Sequence, residues 1–460
     1  MDEPKWNRCV TSDLVEADVD AALGRIGARD ADLAKEAEGI YRSLTWGEGP
    51  GMISLSSLQQ WLWYVLPMKY FTNEVGYKAR LAAAVAELFD ELGLHWYASV
   101  CRSDTTAKVH SAYDKSDSAG KAAMRKAMDA SGVKPPDVDG FSWGSIQGMA
   151  EATAGSAVED ALEKAIAAGD LVVGGRGWRT KQREIVNTTL DRDHPVEPGQ
   201  SWRTTVETER VQNWLENGVR RSPSLRKLRA GVVNHLLGPI DPPDDVASVM
   251  APIVEFLDLF GDERPLTQAG YLKPAFVQEV YMRAGWQDPF VPRRPPRTEY
   301  DAILLGQLRE MLQETKALRK VKKVLKRTAV GASAAVDPVA AWNLIVGYEF
   351  GDPWNEFVVE TAGLVMIDHG GEMASDQLFS TVAVIASEMG WSTSSGGVAE
   401  PPPEREISRA FYHHVHLMEL AQVLERSGDL GDRHFALTDV GVTAMLAKLR
   451  RSAAGPKTQF

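Results

Sequence analysis

The sequence has few cysteines and no long apolar run, and each shortage excludes a class of protein. Cys9 and Cys101 are the two cysteines among 460 residues. Two thiols cannot hold a metal cluster alone, and so few indicate a reducing compartment. The apolar stretch from Leu58 to Tyr70 is broken by polar residues and a proline, whereas a membrane helix needs about 20 apolar residues. Since the N-terminus carries no basic-then-apolar signal, we expect a cytoplasmic protein that does not engage a membrane.

Signatures of nucleotide-binding and hydrolytic enzymes are also missing. The glycine-rich segment Gly174 to Gly177 resembles a phosphate-binding loop, but Thr180 stands where a dinucleotide fingerprint has its third glycine, and the Walker pattern is absent. No Gly-x-Ser-x-Gly elbow accompanies the Asp-His pairs at Asp193 and Asp368. The sequence therefore names no catalytic residue and no cofactor.

One predicted helix carries residues of the types that bind metal ions. His413 and His416 share a helical face, with Glu419 one turn further. A useful site also needs ligands from a second segment, and none is marked. We expect these histidines to be exposed or capping residues.

Composition indicates an ordinary globular protein of more than one domain. The hydrophobic fraction is 44%, the charged fraction is 25%, and the formal net charge is −12. A chain of this length exceeds one ordinary core. The acidic balance excludes a surface that is basic throughout, but it permits a local basic patch.

Helical periodicity dominates the chain. Apolar residues at helical spacing predict two helices around Gly27, an amphipathic helix over 77–94, and further helices over 121–130 and 157–168. Ser54 or Ser56 is placed to begin another helix, and a long helix is predicted over 205–237. Strand candidates are few and short, so we predict a mainly α, multi-lobed protein with short β ribbons.

Proline and glycine clusters divide the chain. They stand at 193–199, 242–243, 289–297 and 393–403, the last having the composition of a linker. The predicted segments are an N-terminal helical lobe (1–198), a helical middle region (199–292), a helical region with a basic segment (293–392) and a C-terminal unit (404–454).

The C-terminal unit has the order of elements in which many winged-helix domains end. A helix from Phe411 is followed by a turn, an extended piece at 434–438 and a last helix from Asp439, which Thr438 or Asp439 can cap. The segment Arg264 to Gly270 has a similar Leu-Thr-x-x-Gly pattern. The segment Leu162 to Leu190 has the same order of helix, glycine turn, extended piece and helix. A winged-helix-like unit and a helical bundle with a capped turn both fit this pattern.

Three segments carry a resemblance to other proteins. They are Ser54 to Tyr64, Leu171 to Arg179 and Pro265 to Lys273. Together they are similar to a group of uncharacterised actinobacterial helical proteins of the plasmid and mobile-element type. The resemblance implies such an origin, and it implies no assigned activity.

The strongest charge feature is the segment from Lys316 to Arg327, with seven cations in twelve positions and no acid. Its apolar residues allow either a continuation of the preceding helix or a hairpin that forms a basic wing. Either form can contact phosphates. The pattern also fits a solvent-exposed face whose cations balance nearby acids such as Glu310. It fits a surface that binds an acidic protein partner as well.

Two smaller basic clusters occur at 176–183 and 220–229. The candidate nucleic-acid-binding residues are Arg176, Arg179, Arg226, Lys227, Arg229, Arg319, Lys320, Lys322, Lys323, Lys326 and Arg327.

These observations favour a non-enzymatic binding or regulatory protein whose ligand is nucleic acid. A protein-interaction scaffold of a mobile element or defence system is the second hypothesis. An enzyme of unrecognised type is the third.

Overall fold

A computed structural model describes residues 14–70, 76–216, 221–283, 296–395, 398–429 and 432–457. The chain forms two compact units, Met1–Val206 with Pro456–Phe460 and Glu207–Gly455, called unit 1 and unit 2 below. The described residues are mainly α-helical with small antiparallel sheets. The predicted fold class is therefore confirmed. The four segments drawn from composition stay a prediction.

Unit 1 is built from helices. They are α1 (Glu16–Gly27), α2 (Ala31–Thr45), α3 (Leu55–Gln60), α4 (Leu66–Lys69), α5 (Tyr77–Glu91), α6 (His95–Cys101), α7 (Asp104–Tyr113), α8 (Asp117–Ser131), α9 (Met149–Ala168), α10 (Trp178–Leu190) and the first part of α11 (Trp202–Glu216). A 3-10 turn (Pro50–Met52) and a π-helical stretch (Trp61–Val65) complete the helical segments.

Local rules explain these helices. The two helices predicted around Gly27 are α1 and α2, and Asp30 begins α2 by accepting a hydrogen bond from the Leu33 amide at 2.9 Å. Ser54 caps α3 by accepting from the Ser57 amide at 3.1 Å. Phe89 of α5 is fully buried in the core of these helices. Those predictions are confirmed.

One extended piece predicted in unit 1 is wrong. Leu171 to Val173 forms turns between α9 and α10. Gly174 and Gly177 have φ of 81° and 76°, a left-handed conformation that reverses the chain direction. The chain therefore turns directly into α10.

Unit 2 holds the remaining helices and all of the named strands. The helices are α12 (Pro223–Val232), α13 (Val246–Phe260), α14 (Pro274–Arg283), α15 (Ile303–Glu314), α16 (Ala329–Ala334), α17 (Pro338–Val346), α18 (Pro353–His369), α19 (Ser375–Glu388), α20 (Glu404–Leu420) and α21 (Asp439–Ala454), with 3-10 turns at Val233–Leu237 and Glu299–Asp301. The strands are β1 (Glu263–Pro265), β2 (Leu318–Val321), β3 (Val324–Arg327), β4 (Met373–Ala374), β5 (Thr393–Ser395), β6 (Val398–Glu400), β7 (Leu424–Ser427) and β8 (His434–Leu437).

The single helix predicted over 205–237 is wrong. α11 ends at Glu216 and α12 begins at Pro223, where Ser222 accepts a hydrogen bond from the Leu225 amide at 3.0 Å. Proline fits the first helical position because it has no amide hydrogen to satisfy. The Ser-Pro pair therefore starts a new helix.

Unit 2 contains the same order of elements twice. The first module, residues 246–334, runs α13, β1, α14, α15, β2, β3, α16, and its sheet has the order β1-β3-β2. The second module, residues 353–454, runs α18, β4, α19, α20, β7, β8, α21, and its sheet has the order β4-β8-β7. The second module also has the β5–β6 ribbon between α19 and α20.

Matching residues close the two modules in the same way. Thr328 caps α16 and Thr438 caps α21, each accepting from the amide of a glycine three residues later, at 3.3 and 2.8 Å. The amide of each threonine donates to the carbonyl of the residue just before the first hairpin strand, which is Ala317 for Thr328 and Val423 for Thr438. The residues preceding those two, Lys316 and Gln422, have φ of 61° and 53°. The capping role expected of Thr438 is confirmed.

Three sequence expectations in unit 2 change. The basic segment does not continue α15, because α15 ends at Glu314 and Lys316 turns the chain. The segment 264–270, which resembles the C-terminal turn in sequence, is not its structural counterpart, because the threonine and glycine that match Thr438 and Gly441 are Thr328 and Gly331. Residues 393–403 are not a structureless linker, because Thr393–Ser395 pairs with Val398–Glu400. The break expected over 289–297 lies mostly outside the described residues.

Candidate nucleic-acid interface

The basic segment folds as a two-stranded hairpin. Residues 318–327, called the basic hairpin below, pair as β2 and β3 around a two-residue turn at Lys322 and Lys323. Leu318 and Leu325 anchor it, because both are buried in the core of unit 2. β-branched Val321 and Val324 flank the turn and favour extended backbone. Lys322 has φ of 56°, which lets the chain reverse within two residues.

Four cations of the basic hairpin are exposed and lack acidic partners. Within the part of the chain that the structure describes, no carboxylate forms an ion pair with Arg319, Lys320, Lys322 or Lys323, and all four are exposed. A Cβ added to Gly270 would lie 3.0 Å from Lys320 Nζ. The loop before α14 therefore borders one side of the hairpin.

The other two candidates in the hairpin are engaged by β1 and its neighbours. Lys326 Nζ lies 2.8 Å from Glu263 Oε2. Arg327 Nη2 lies 3.0 Å from Asp262 Oδ1, and its Nη1 donates to the Leu257 carbonyl at 3.0 Å. Of the six candidate cations in the hairpin, four have no acidic partner among the described residues.

The cluster on α12 divides between surface and interior. Arg226 and Lys227 are exposed. The Arg229 guanidinium lies 4.1 Å from the centre of the Trp214 ring and donates to the Trp214 carbonyl at 2.6 Å. Burial lowers the pKa of Arg229 to about 10. Arg229 therefore contributes to packing, while Arg220 lies outside the described residues.

The cluster at 176–183 belongs to unit 1. Arg176 is exposed at the turn before α10. Arg179 lies 4.0 Å from the centre of the Trp178 ring, and its Nη2 donates to the Asp129 carbonyl at 2.8 Å. This geometry holds Arg179 along the surface of its own unit.

The helix before the basic hairpin is acidic where it is accessible. Glu310 of α15 is exposed, and its Oε2 lies 3.5 Å from His413 Nε2 on α20. Gln307 accepts from the Leu417 amide at 3.2 Å, so α15 is also hydrogen-bonded to α20. A groove of about 650 Å³ runs along α15 and includes Glu310, Glu314 and His413.

The charged groups in this groove affect one another. The His413 side chain holds the pKa of Glu310 below its ordinary value, and Glu310 raises the pKa of His413. Partial burial raises the pKa of Glu314, which accepts from the Glu349 amide at 2.7 Å. The groove along α15 therefore presents two carboxylates, Glu310 and Glu314, beside Arg309 and His413.

The suspected metal ligands have local partners. His416 Nδ1 lies 3.1 Å from Glu419 Oε2, and Arg426 Nε lies 3.0 Å from Glu419 Oε1. Among the described residues, no group of three histidine, cysteine or acidic side chains is arranged to hold a metal ion. Glu419 therefore has a structural role as the ion-pair partner of Arg426.

The Asp-His pairs and Cys101 show no activated arrangement. His369 Nε2 lies 3.1 Å from the Glu372 carbonyl oxygen. His194 Nδ1 accepts from the amides of Val196 and Glu197, at 3.3 and 3.0 Å. Burial raises the pKa of the Cys101 thiol to about 12, so it is not a thiolate at neutral pH.

Sequence reasoning missed a buried charged cluster in unit 2. Lys448 donates to the Tyr348 carbonyl at 2.7 Å and lies 3.5 Å from Glu356. Glu360 is near Lys448, Arg229 and Ser452, and one of its carboxylate oxygens is buried without a hydrogen-bond partner. No local pattern marks these residues, because they come from distant helices.

No protein-family model, curated protein or solved structure matches this chain. No described helix is both long enough and apolar enough to cross a bilayer.

Proposed function

We propose that this protein binds nucleic acid through phosphate contacts made by the basic hairpin. The observation that carries the proposal is the set of four exposed cations without described acidic partners, Arg319, Lys320, Lys322 and Lys323. They lie within five positions of a chain whose net charge is −12. A compact positive site on an acidic protein is suited to local contact with a polyanion.

The order of elements in unit 2 supports the same proposal. Helix, strand, helix, helix and a two-stranded hairpin in one small sheet is the order typical of winged-helix modules, in which the hairpin is the wing. We propose that both modules are winged-helix-like. The basic hairpin then takes the position of the wing in the first module. Because such modules also bind proteins, the charge of the hairpin, and not the fold, selects the ligand class.

The setting of this activity is part of the proposal. Two cysteines in 460 residues suit a reducing cytoplasm. The resemblance of three segments to actinobacterial mobile-element proteins supports a role in such an element or in defence against one.

Salt dependence tests the proposed function. Each phosphate contact contributes roughly −0.9 to the slope of log K against log salt, so four contacts give about −3.6 for duplex DNA. Affinity should then fall about 150-fold between 50 and 200 mM salt. The measurement is fluorescence anisotropy with labelled DNA and RNA across that range.

Matched variants locate the contact. Changing Lys320, Lys322 and Lys323 to glutamine should reduce the magnitude of the slope to about 0.9, because one cation is left. Changing Lys108, Lys121 and Lys126 to glutamine removes the same charge from exposed positions on α7 and α8 and should leave the slope unchanged. Affinity no better than millimolar at low salt, or equal loss in both triple variants, would contradict the proposal.

A further inference from the structure

We infer, building on the proposed function, that the ligand is a double helix held through its backbone by the basic hairpin alone. In this mode α15 stays outside the grooves, and binding does not depend on base sequence.

The placement of the cations fits a double helix. Successive strand residues face opposite sides of a ribbon, so Arg319 and Lys320 project from opposite faces. Lys322 and Lys323 occupy the tip. Lys320 shares the face of the buried Leu325 but is exposed beside Gly270, while Arg319 is on the outer face. With the two lysines at the tip, these separated cations can reach the two rows of phosphates that border a groove.

The hairpin lacks the aromatic rings that stack on single strands and the side-chain acceptors that read adenine and cytosine. Residues 318–327 are leucine, valine, lysine and arginine throughout. Single-stranded nucleic acid is held mainly by stacking on aromatic rings, and this segment has none. It has no side-chain acceptor for the amino groups of adenine or cytosine. Its arginines and lysines can donate to guanine, but Arg319 lies in β2 away from the tip, and the tip lysines donate equally well to phosphate oxygens, which are the commoner acceptors.

The charge on α15 opposes base reading by this helix. In three-helix variants of the helix-turn-helix fold, the third helix normally enters the major groove. On α15 the exposed Glu310 and the partly exposed Glu314 would approach phosphates, and like charges repel. The side of α15 that carries Gln307 is also occupied by α20. Both features keep α15 away from base edges.

The second module does not supply a second basic hairpin. Its strands β7 and β8 carry Glu425 and Arg426, and Arg426 is paired with Glu419 at 3.0 Å. The connection between them carries two acids and one cation, Asp429, Asp432 and Arg433. The second module therefore has no counterpart of the basic hairpin among the described residues.

A four-ligand comparison tests the inference. Wild-type protein is titrated with two 20-base-pair duplexes of unrelated sequence and with one strand of each, at one low salt concentration. The two duplexes should bind within about twofold of each other, and each should bind at least about fivefold more tightly than its single strand.

Variants separate the hairpin from α15. Lys322→Gln with Lys323→Gln should weaken both duplexes equally. Glu310→Gln should leave the ratio between the two duplexes unchanged and weaken neither. Circular dichroism and thermal melting of each variant verify that it is folded.

The outcomes distinguish the two proposals. Binding that favours the single strands, or a sequence preference above about tenfold, overturns the inference and leaves the proposed function standing. A loss of duplex binding in Glu310→Gln also overturns the inference. Failure of all four ligands to bind overturns the proposed function itself.

Discussion

Two adjacent histidines show how strongly position decides the chemistry of a residue. His413 is exposed and faces Glu310, whereas His414 is buried beside Tyr348 and Phe350, with Tyr348 Oη 3.3 Å from its Nδ1. A hydrogen bond to Glu310 raises the pKa of His413. Burial lowers the pKa of His414 to about 4. One step along α20 therefore separates a titrating group from a neutral one.

The two histidines should titrate separately. Between pH 8 and 5, His413 should become protonated with a pKa above the ordinary 6.5, while His414 stays neutral. Histidine-selective NMR measures both pKa values in the intact protein. Glu310→Gln should lower the pKa of His413 and leave His414 neutral. Joint titration of both rings near pH 6.5 would contradict this assignment.

The helices and helix caps that depend on neighbouring residues could be predicted from the sequence. The helices around Gly27, the Ser54 cap and the Thr438 cap were predicted because neighbouring residues determine them. The helix over 205–237 was predicted wrongly because periodicity continued past Ser222. The likeness of the segment 264–270 to the C-terminal unit indicated a repeated pattern, but it misplaced the correspondence, which pairs Thr328 with Thr438. The features that the modules share are backbone features, namely left-handed residues and carbonyl contacts.

The candidate site was predictable in part for the same reason. The cationic segment is visible in the sequence, and so is its lack of acids. Whether it forms a helix or a hairpin depends on burial of Leu318 and Leu325 against distant helices. Arg229 packs on Trp214, and Lys326 and Arg327 form ion pairs with acids in and beside β1. These tertiary contacts, which remove the three residues from the set of free cations, cannot be read from the sequence.

The closing turn of each module should not tolerate a side chain at its glycine. A Cβ at Gly441 would lie 1.9 Å from the Val423 carbonyl oxygen, and one at Gly331 would lie 2.3 Å from the Ala317 carbonyl oxygen. Backbone cannot move aside easily, so Gly441→Ala should lower the free energy of unfolding by about 1–3 kcal/mol. Chemical denaturation measures the change.

Gly306→Ala is the matched control for this prediction. Gly306 lies within α15, and a Cβ there meets no atom within 4 Å. Because alanine favours helix, this variant should be as stable as wild type or about 0.5–1 kcal/mol more stable. Equal stability of Gly441→Ala and wild type would show that the carbonyl contact imposes no constraint.

At the scale of the whole molecule, charge is distributed unevenly between surface and interior. The acidic surface carries one exposed basic hairpin, while unit 2 buries Glu360, Lys448 and Arg229 near one another. Buried ions are weak evidence of stabilisation, because desolvation offsets their attraction. Their effect should appear in the pH dependence of unfolding.

Glu360→Gln should change that dependence. Burial raises the pKa of Glu360 above the ordinary 4.5, so the folded state holds the proton more tightly than the unfolded state. The resulting stability is present at low pH and is lost as pH rises through the raised pKa. Relative to Glu360→Gln, wild type should therefore lose stability as the pH rises above 4.5. Denaturant titrations at several pH values measure the difference.

Glu425→Gln provides the charge-matched control. Glu425 is exposed on β7, and its removal changes net charge equally. Parallel stability curves for wild type and Glu360→Gln would refute the buried-carboxylate explanation.

The turn residue Lys322 combines an unfavourable backbone conformation with an exposed positive charge. Its φ of 56° suits glycine or asparagine, and a lysine in that conformation costs on the order of 1 kcal/mol. A hairpin selected only to persist would place glycine there. Lysine at this turn keeps a positive charge at the tip although glycine would have the lower conformational free energy. This choice is expected if the charge at the tip, rather than the stability of the turn, is under selection.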